Sequence, residues 1–147
     1  MDPRDTFLTR ERFPAADRLV VARPDRYLRE EDEAGRLDHR TVIACLGHDP
    51  KIDDPLVETA LSLPVAYVGA MGSRRTHHER IRRLLERGVT TTQLKALHSP
   101  IGLDLGGSTP AEFALSVMAE VVAERTGRAA ARPLRTTTGP LHGSIPA

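Results

Sequence analysis

Apolar positions in this chain fall into short unbroken runs, separated by charged segments in which they recur at helical spacing. Arg18-Leu19-Val20-Val21-Ala22, bounded by Asp17 and Arg23-Pro24, predicts a short buried strand. Pro24 to Ala34 predicts a charged helix, with Pro24 in its first turn and Gly35 as its C-terminal cap. Thr41-Val42-Ile43-Ala44-Cys45-Leu46, ending at Gly47, predicts a strand covered on both faces, with Cys45 in the interior. Asp53-Asp54-Pro55 reads as an aspartate cap followed by proline at the first helical position. The helix behind it carries Leu56, Val57, Ala60 and Leu61 and closes at Pro64.

The next stretch, Val65 to Thr76, is VAYVGAMGSRRT. A β-branched run meets a glycine-bounded turn, Gly69 to Gly72, and Ser73 then opens a helix running to about Arg87, with Ile81, Leu84 and Leu85 as its apolar stripe. Strand, glycine turn and helix start in succession form an anion site, because free N–H groups and the positive end of the helix dipole point out of the turn. Arg74 and Arg75 add charge there, which suits phosphate or pyrophosphate. A plain connection with a solvated basic first turn stands as the alternative.

Thr90 to Leu97 predicts a short helix, and His98 to Ser108 a second glycine-rich loop with a brief strand near Ile101. Thr109-Pro110-Ala111-Glu112 is a capping box, and the mostly apolar helix behind it, to about Thr126, is expected to be the best buried. Residues 128–147 lack periodicity and read as a disordered tail, leaving 1–127 as the domain. Strands alternating with helices predict an α/β fold with a parallel sheet. Ligands bind outside the carboxyl ends of such strands. Three polar loops are expected to converge there: His48 to Lys51, Gly69 to Arg75 and Gly102 to Thr109.

Composition changes this picture little. The chain has 147 residues, 39% hydrophobic and 28% charged, with a formal net charge of +1, so bulk charge favours neither nucleic acid nor a membrane surface. Trp is absent and aromatics are scarce, which disfavours base stacking. Cys45 is the single cysteine, no apolar run has the length of a membrane span, and MDPRDTF has no signal-peptide core. A reducing cytoplasm fits.

HDPKIDDP, YVGAMGSRRTHHERIRRL and SPIGLDLGGSTPAEFALSVMAEV, in this order and at these intervals, closely resemble the XdhC/CoxI family. The resemblance implies a three-layer Rossmann-like parallel sheet, the family's C-terminal domain. It implies an accessory factor that matures xanthine dehydrogenase or CO dehydrogenase. Such a factor binds the molybdenum cofactor (molybdopterin, simple or dinucleotide form), protects it during sulfuration and passes it to the molybdenum hydroxylase apoenzyme. A cysteine desulfurase and a second copy of the chain are further partners this leaves open. MDPRDTFLTRERFP is similar to the segment leaving the second Rossmann strand, where Asp2 could meet a ribose hydroxyl. The first strand, glycine turn and helix of that fold are lacking, and no G-x-G-x-x-G precedes Asp2, so NAD(P) is unsupported. The expectation is a fragment, a miscalled start or half of a split protein.

The match favours Gly69, Gly72, Ser73, Arg74 and Arg75 as the cofactor-phosphate site, with at most one of the arginines touching the ligand. His48 and Asp49 could orient a pterin or cap their loop. Gly102 and Gly106 permit close backbone approach, and Asp104 could bond a pterin N–H edge or brace its loop. His48, His77 and His98 lack any recognised zinc spacing. Asp53, Asp54 and Thr109 read as helix caps. No nucleophile–base pair is recognisable, so binding and hand-over without turnover is expected. The alternatives are a nucleotide-dependent oxidoreductase and a remnant that only pairs with another protein.

Overall fold

The computed structural model describes residues 1–127 and 131–138, which fall in two compact units, Met1–Pro100 and Ile101–Ala147. The first unit runs α1 (Pro24–Glu33), β1 (Val42–Cys45), α2 (Pro50–Ala60), β2 (Tyr67–Ala70), α3 (Arg74–Glu86), α4 (Thr91–Leu94) and β3 (Leu97–His98). The strands form one parallel sheet in the order β1-β2-β3. The α/β class is as the alternating pattern predicts.

Register divides the sheet into two unlike faces. Ile43 pairs with Val68 and Cys45 with Ala70, while Val68 also pairs with Leu97. All five residues join Leu56, Val57, Ala60 and Leu84 in one buried cluster under α2 and α3. Burying a side chain such as Val57 or Leu84 completely contributes about 1.5–3 kcal/mol. On the other face, Tyr67 stacks on His98 with ring centroids 4.4 Å apart. Val42, Ala44 and Leu46 are exposed there. An unbroken apolar run predicts cover on both faces, but β1 is covered on one, since only alternate residues meet the helices.

The second helix begins one turn earlier than expected. Asp49 is its cap, accepting from the Lys51 N–H at 2.9 Å, and Pro50 takes the first helical position. Asp53 and Asp54 are therefore inside α2 and buried, not caps. Pro55 lies within the helix, where it cannot bond to the Lys51 carbonyl. That carbonyl instead accepts from Arg23 at 3.4 Å.

Three further expectations shift. Leu19 to Ala22 forms no strand: Val21 makes one parallel bridge to Asp2 and is 53% exposed. The helix expected over Thr90 to Leu97 stops at Leu94, and Leu97–His98 form the last strand, ahead of Ile101. Leu85 faces solvent, while Leu84 is buried. A continuous apolar segment satisfies either strand or loop, so neighbours decide which forms.

The second unit carries α5 (Pro110–Arg125) and a 3₁₀ turn at Leu134–Thr136. The Thr109–Glu112 capping box forms as read from the sequence. Helix α5 is not the best buried: Leu115 is 62% exposed, and Phe113, Met118 and Val122 are exposed as well. Of the expected tail, residues 128–130 and 139–147 lie outside the described residues.

Candidate functional site: the turn between β2 and α3

Strand β2 extends through Gly69 to Ala70, so Gly69 is a buried strand residue pairing with Ala44 and His98, not part of the turn. The turn proper is Met71 to Ser73. Its entry is fixed by the Met71 N–H, which donates to the Cys45 carbonyl at 2.8 Å. Gly72 has φ +150°, and a Cβ there would sit 2.9 Å from Thr76 Cγ2, so both conformation and space call for glycine. Ser73 caps α3, its Oγ accepting from the Thr76 N–H at 3.1 Å.

The N–H groups of Gly72, Ser73, Arg74 and Arg75 have no partner among the described residues. The first turn of α3 holds no acidic residue. Arg75 is turned along the helix to Glu79, at 2.9 Å and 88% exposed, which leaves Arg74 as the arginine of this turn without an ion pair among the described residues. His78 Nδ1 lies 2.6 Å from the Arg74 carbonyl, and His77 Nδ1 is buried without a partner among the described residues. Burial, with His78 and Arg80 nearby, holds the His77 pKa below its ordinary value, favouring the neutral ring.

Beneath the turn lies a buried group of charges. Arg80 is 2% exposed and donates to the Met71 carbonyl and to Ser99 Oγ, each at 3.1 Å. Its Nε is 3.9 Å from Asp54, which also accepts two hydrogen bonds from Arg83. Asp53 presses against the Gly47 backbone, leaving no room for a side chain there. Burial raises the Asp53 pKa, while a hydrogen bond from the Cys45 thiol and the charge of Arg80 oppose that. Cys45 is fully buried, and burial together with the Asp53 charge pushes its thiol up to about 12, which makes it inert.

The neighbouring loop at the end of β1 brings His48 and Asp49 to the surface, both exposed. Asp49 is committed to capping α2, and the His48 ring has no hydrogen bond or ion pair among the described residues. Asp2 is held by Arg4, whose backbone N–H and Nε both donate to Asp2 Oδ1 at 2.9 Å, and this lowers its pKa. In the second unit, Gly102 has φ +102° and its N–H donates to Glu120 at 2.7 Å. Ser116 Oγ donates to the Leu103 carbonyl, fastening this loop to α5. Gly106 has φ +69° with open space around it, and Asp104 is exposed. The His48 loop and the Met71 turn thus leave adjacent strands, while the third loop belongs to the other unit.

The chain matches the family described as the XdhC Rossmann domain over residues 1–121. It belongs to that family. The chain is similar to the molybdenum cofactor insertion chaperone PaoD of Escherichia coli K12, with 32% identity over 63% of this chain and 29% of PaoD. It is similar to a probable xanthine dehydrogenase component from Bacillus subtilis, with 30% identity over 84% of this chain and 34% of that protein. The E. coli K12 protein YqeB, itself uncharacterized, is 33% identical over 82% of this chain and 19% of its own length. Among solved structures, a xanthine dehydrogenase from Bacillus halodurans superposes with a TM-score of 0.68 at 25% identity, covering 92% of this chain and 36% of the other. This XdhC-family chain thus spans between about a fifth and a third of the curated relatives it matches.

Sequence reasoning missed Arg80 and Ser99 and read Asp54 as a helix cap. A signal was present: Arg80 lies four residues before Leu84, on the buried stripe of α3, where an arginine must be paired. No helix among the described residues is long and apolar enough to cross a membrane.

Proposed function

We propose that this chain is part of a molybdenum-cofactor-binding maturation factor for molybdenum hydroxylases of the xanthine dehydrogenase or CO dehydrogenase type, acting in the cytoplasm. It binds and hands over the cofactor and turns nothing over itself. One observation carries the reading: four unpartnered N–H groups, Gly72 to Arg75, lie at the start of a capped helix whose first turn is basic and free of acid. Membership of the XdhC family and similarity to a molybdenum cofactor insertion chaperone support it.

The residues fit a phosphate or pyrophosphate. The N–H groups of Gly72 to Arg75 would hold its oxygens, with Arg74 supplying countercharge and Arg75 remaining with Glu79. Buried Gly69 would contribute by letting β2 lie flat beneath the turn. His48, exposed at the adjacent strand end, would hydrogen-bond the pterin, and Asp49 would keep that loop in place as a helix cap. When bound, the cofactor supplies the molybdenum chemistry, and the chain's own part is to orient and shield it. The partners are the apoenzyme, a cysteine desulfurase and a second copy of this chain.

Purified protein mixed in turn with molybdenum cofactor and with NAD(P) tests this reading. Retention of the molybdenum cofactor, displaced by inorganic pyrophosphate, is expected. Retention of NAD(P) with redox activity, and none of the molybdenum cofactor, would establish an oxidoreductase instead.

A further inference from the structure

We infer that Arg80 is a positioning residue that holds the Met71–Arg75 turn in its anion-binding shape and ties it to the loop after β3. The inference deepens the proposed phosphate site and rests on that reading for its consequence, though not for its geometry. One guanidinium joins three segments of the first unit. It donates to the Met71 carbonyl at the turn's entry and to Ser99 just past β3, and it faces Asp54 of α2 at 3.9 Å.

Burial gives these contacts their force. With Arg80 2% exposed, water cannot replace a lost partner, so the guanidinium stays where Asp54 and the two acceptors put it. The Met71 carbonyl and the Gly72 N–H share one planar trans peptide and point in opposite directions, so the carbonyl held by buried Arg80 turns that N–H away from the guanidinium. Clamping the Met71 carbonyl inward therefore sets the direction of the peptide planes that follow. The planar fork of arginine reaches two separate acceptors at once, whereas the point charge of lysine serves one. Arg83 already neutralises Asp54 with two hydrogen bonds, so pairing with Asp54 alone does not account for a second buried arginine.

The test uses Arg80→Lys and Ser99→Ala in the full chain, with amide hydrogen exchange, thermal melting and titration with inorganic pyrophosphate. Ser99→Ala removes one anchor at a partly exposed site and keeps the experiment readable where Arg80→Lys fails to fold. In both variants the Met71 and Thr76 amides, the two hydrogen-bonded amides that bracket the turn, are expected to exchange about tenfold faster, while amides within β1 and β2 keep their protection relative to the melting temperature. Pyrophosphate affinity falls in parallel by about tenfold. Uniform loss of protection across the sheet, or turn exchange unchanged beside a lowered melting temperature, makes Arg80 a stability residue only and overturns the inference. If the wild-type protein binds no pyrophosphate yet turn exchange rises in the variants, the phosphate reading fails and the positioning role stands.

Discussion

Helices α3 and α5 both follow a glycine-containing loop and both start at a capping hydroxyl, yet their N-termini are chemically opposite. In α5, Glu112 reaches back and accepts from the Ser108 N–H, the Thr109 N–H and Thr109 Oγ, at 2.8–3.0 Å. The helix supplies its own anion. In α3 the equivalent position is Thr76, which offers no charge, and the N–H groups ahead of it stay open. A glycine loop before a capped helix is therefore not by itself an anion site: the residue three places after the cap decides whether the site is filled from within. Their moorings differ too. Helix α3 is anchored by buried Arg80 and Asp54 with half-buried Arg83, and α5 holds its preceding loop through the Ser116 hydroxyl and Glu120.

The largest effect is expected where the moorings are cut. Asp54→Ala removes the carboxylate that Arg80 and Arg83 both face and should cost about 3–5 kcal/mol in a urea melt. Ser116→Ala, which removes one neutral hydrogen bond, should cost about 1–3 kcal/mol. Equal losses would remove the distinction drawn between the two helices.

Exchanging the chemistry of the two starts is the next strongest test. Thr76→Glu turns Ser73-Arg74-Arg75-Thr76 into a capping box like that of α5. Pyrophosphate affinity should fall by about tenfold or more, with the melting temperature held or raised. Undiminished affinity would locate the anion elsewhere.

A smaller, pH-dependent difference completes the comparison. Hydrogen bonds from the Thr109 backbone, the Thr109 hydroxyl and the Ser108 backbone hold the Glu112 carboxyl below its ordinary 4.5. Its folded pKa is depressed, so its stabilising effect is present above 4.5 and is lost as pH falls through the lowered value. Protection of the Ser108 and Thr109 amides, measured against their intrinsic exchange rates at each pH, should fall in acid, while Thr76, capped by the non-titrating Ser73, keeps its protection. Parallel behaviour of the two ends would contradict the assignment.

Much of the fold is legible from residue order. The parallel α/β sheet, the turn before Ser73 and the Thr109 capping box follow from patterns spanning four to a dozen residues. The start of α2 is ambiguous in the sequence because two cap-plus-proline signals lie in succession, Asp49-Pro50 and Asp54-Pro55. The earlier one nucleates the helix, and burial of Asp53 and Asp54 then follows from partners in β1 and α3 that the local signal does not contain.

The sequence by itself determined the Ser73 and Thr109 helix starts, the strand–turn–helix order and the basic, acid-free start of α3, because each depends on hydrogen bonds and dihedral preferences within a few residues. Only the tertiary structure decided that Arg80 sits beneath the turn, that Gly69 belongs to the strand, that β1 is covered on one face and that α5 leaves Leu115 and Met118 in solvent. These depend on which surfaces meet. Burial is a property of neighbours brought together across the chain, and an apolar or charged residue carries no local record of what will cover it.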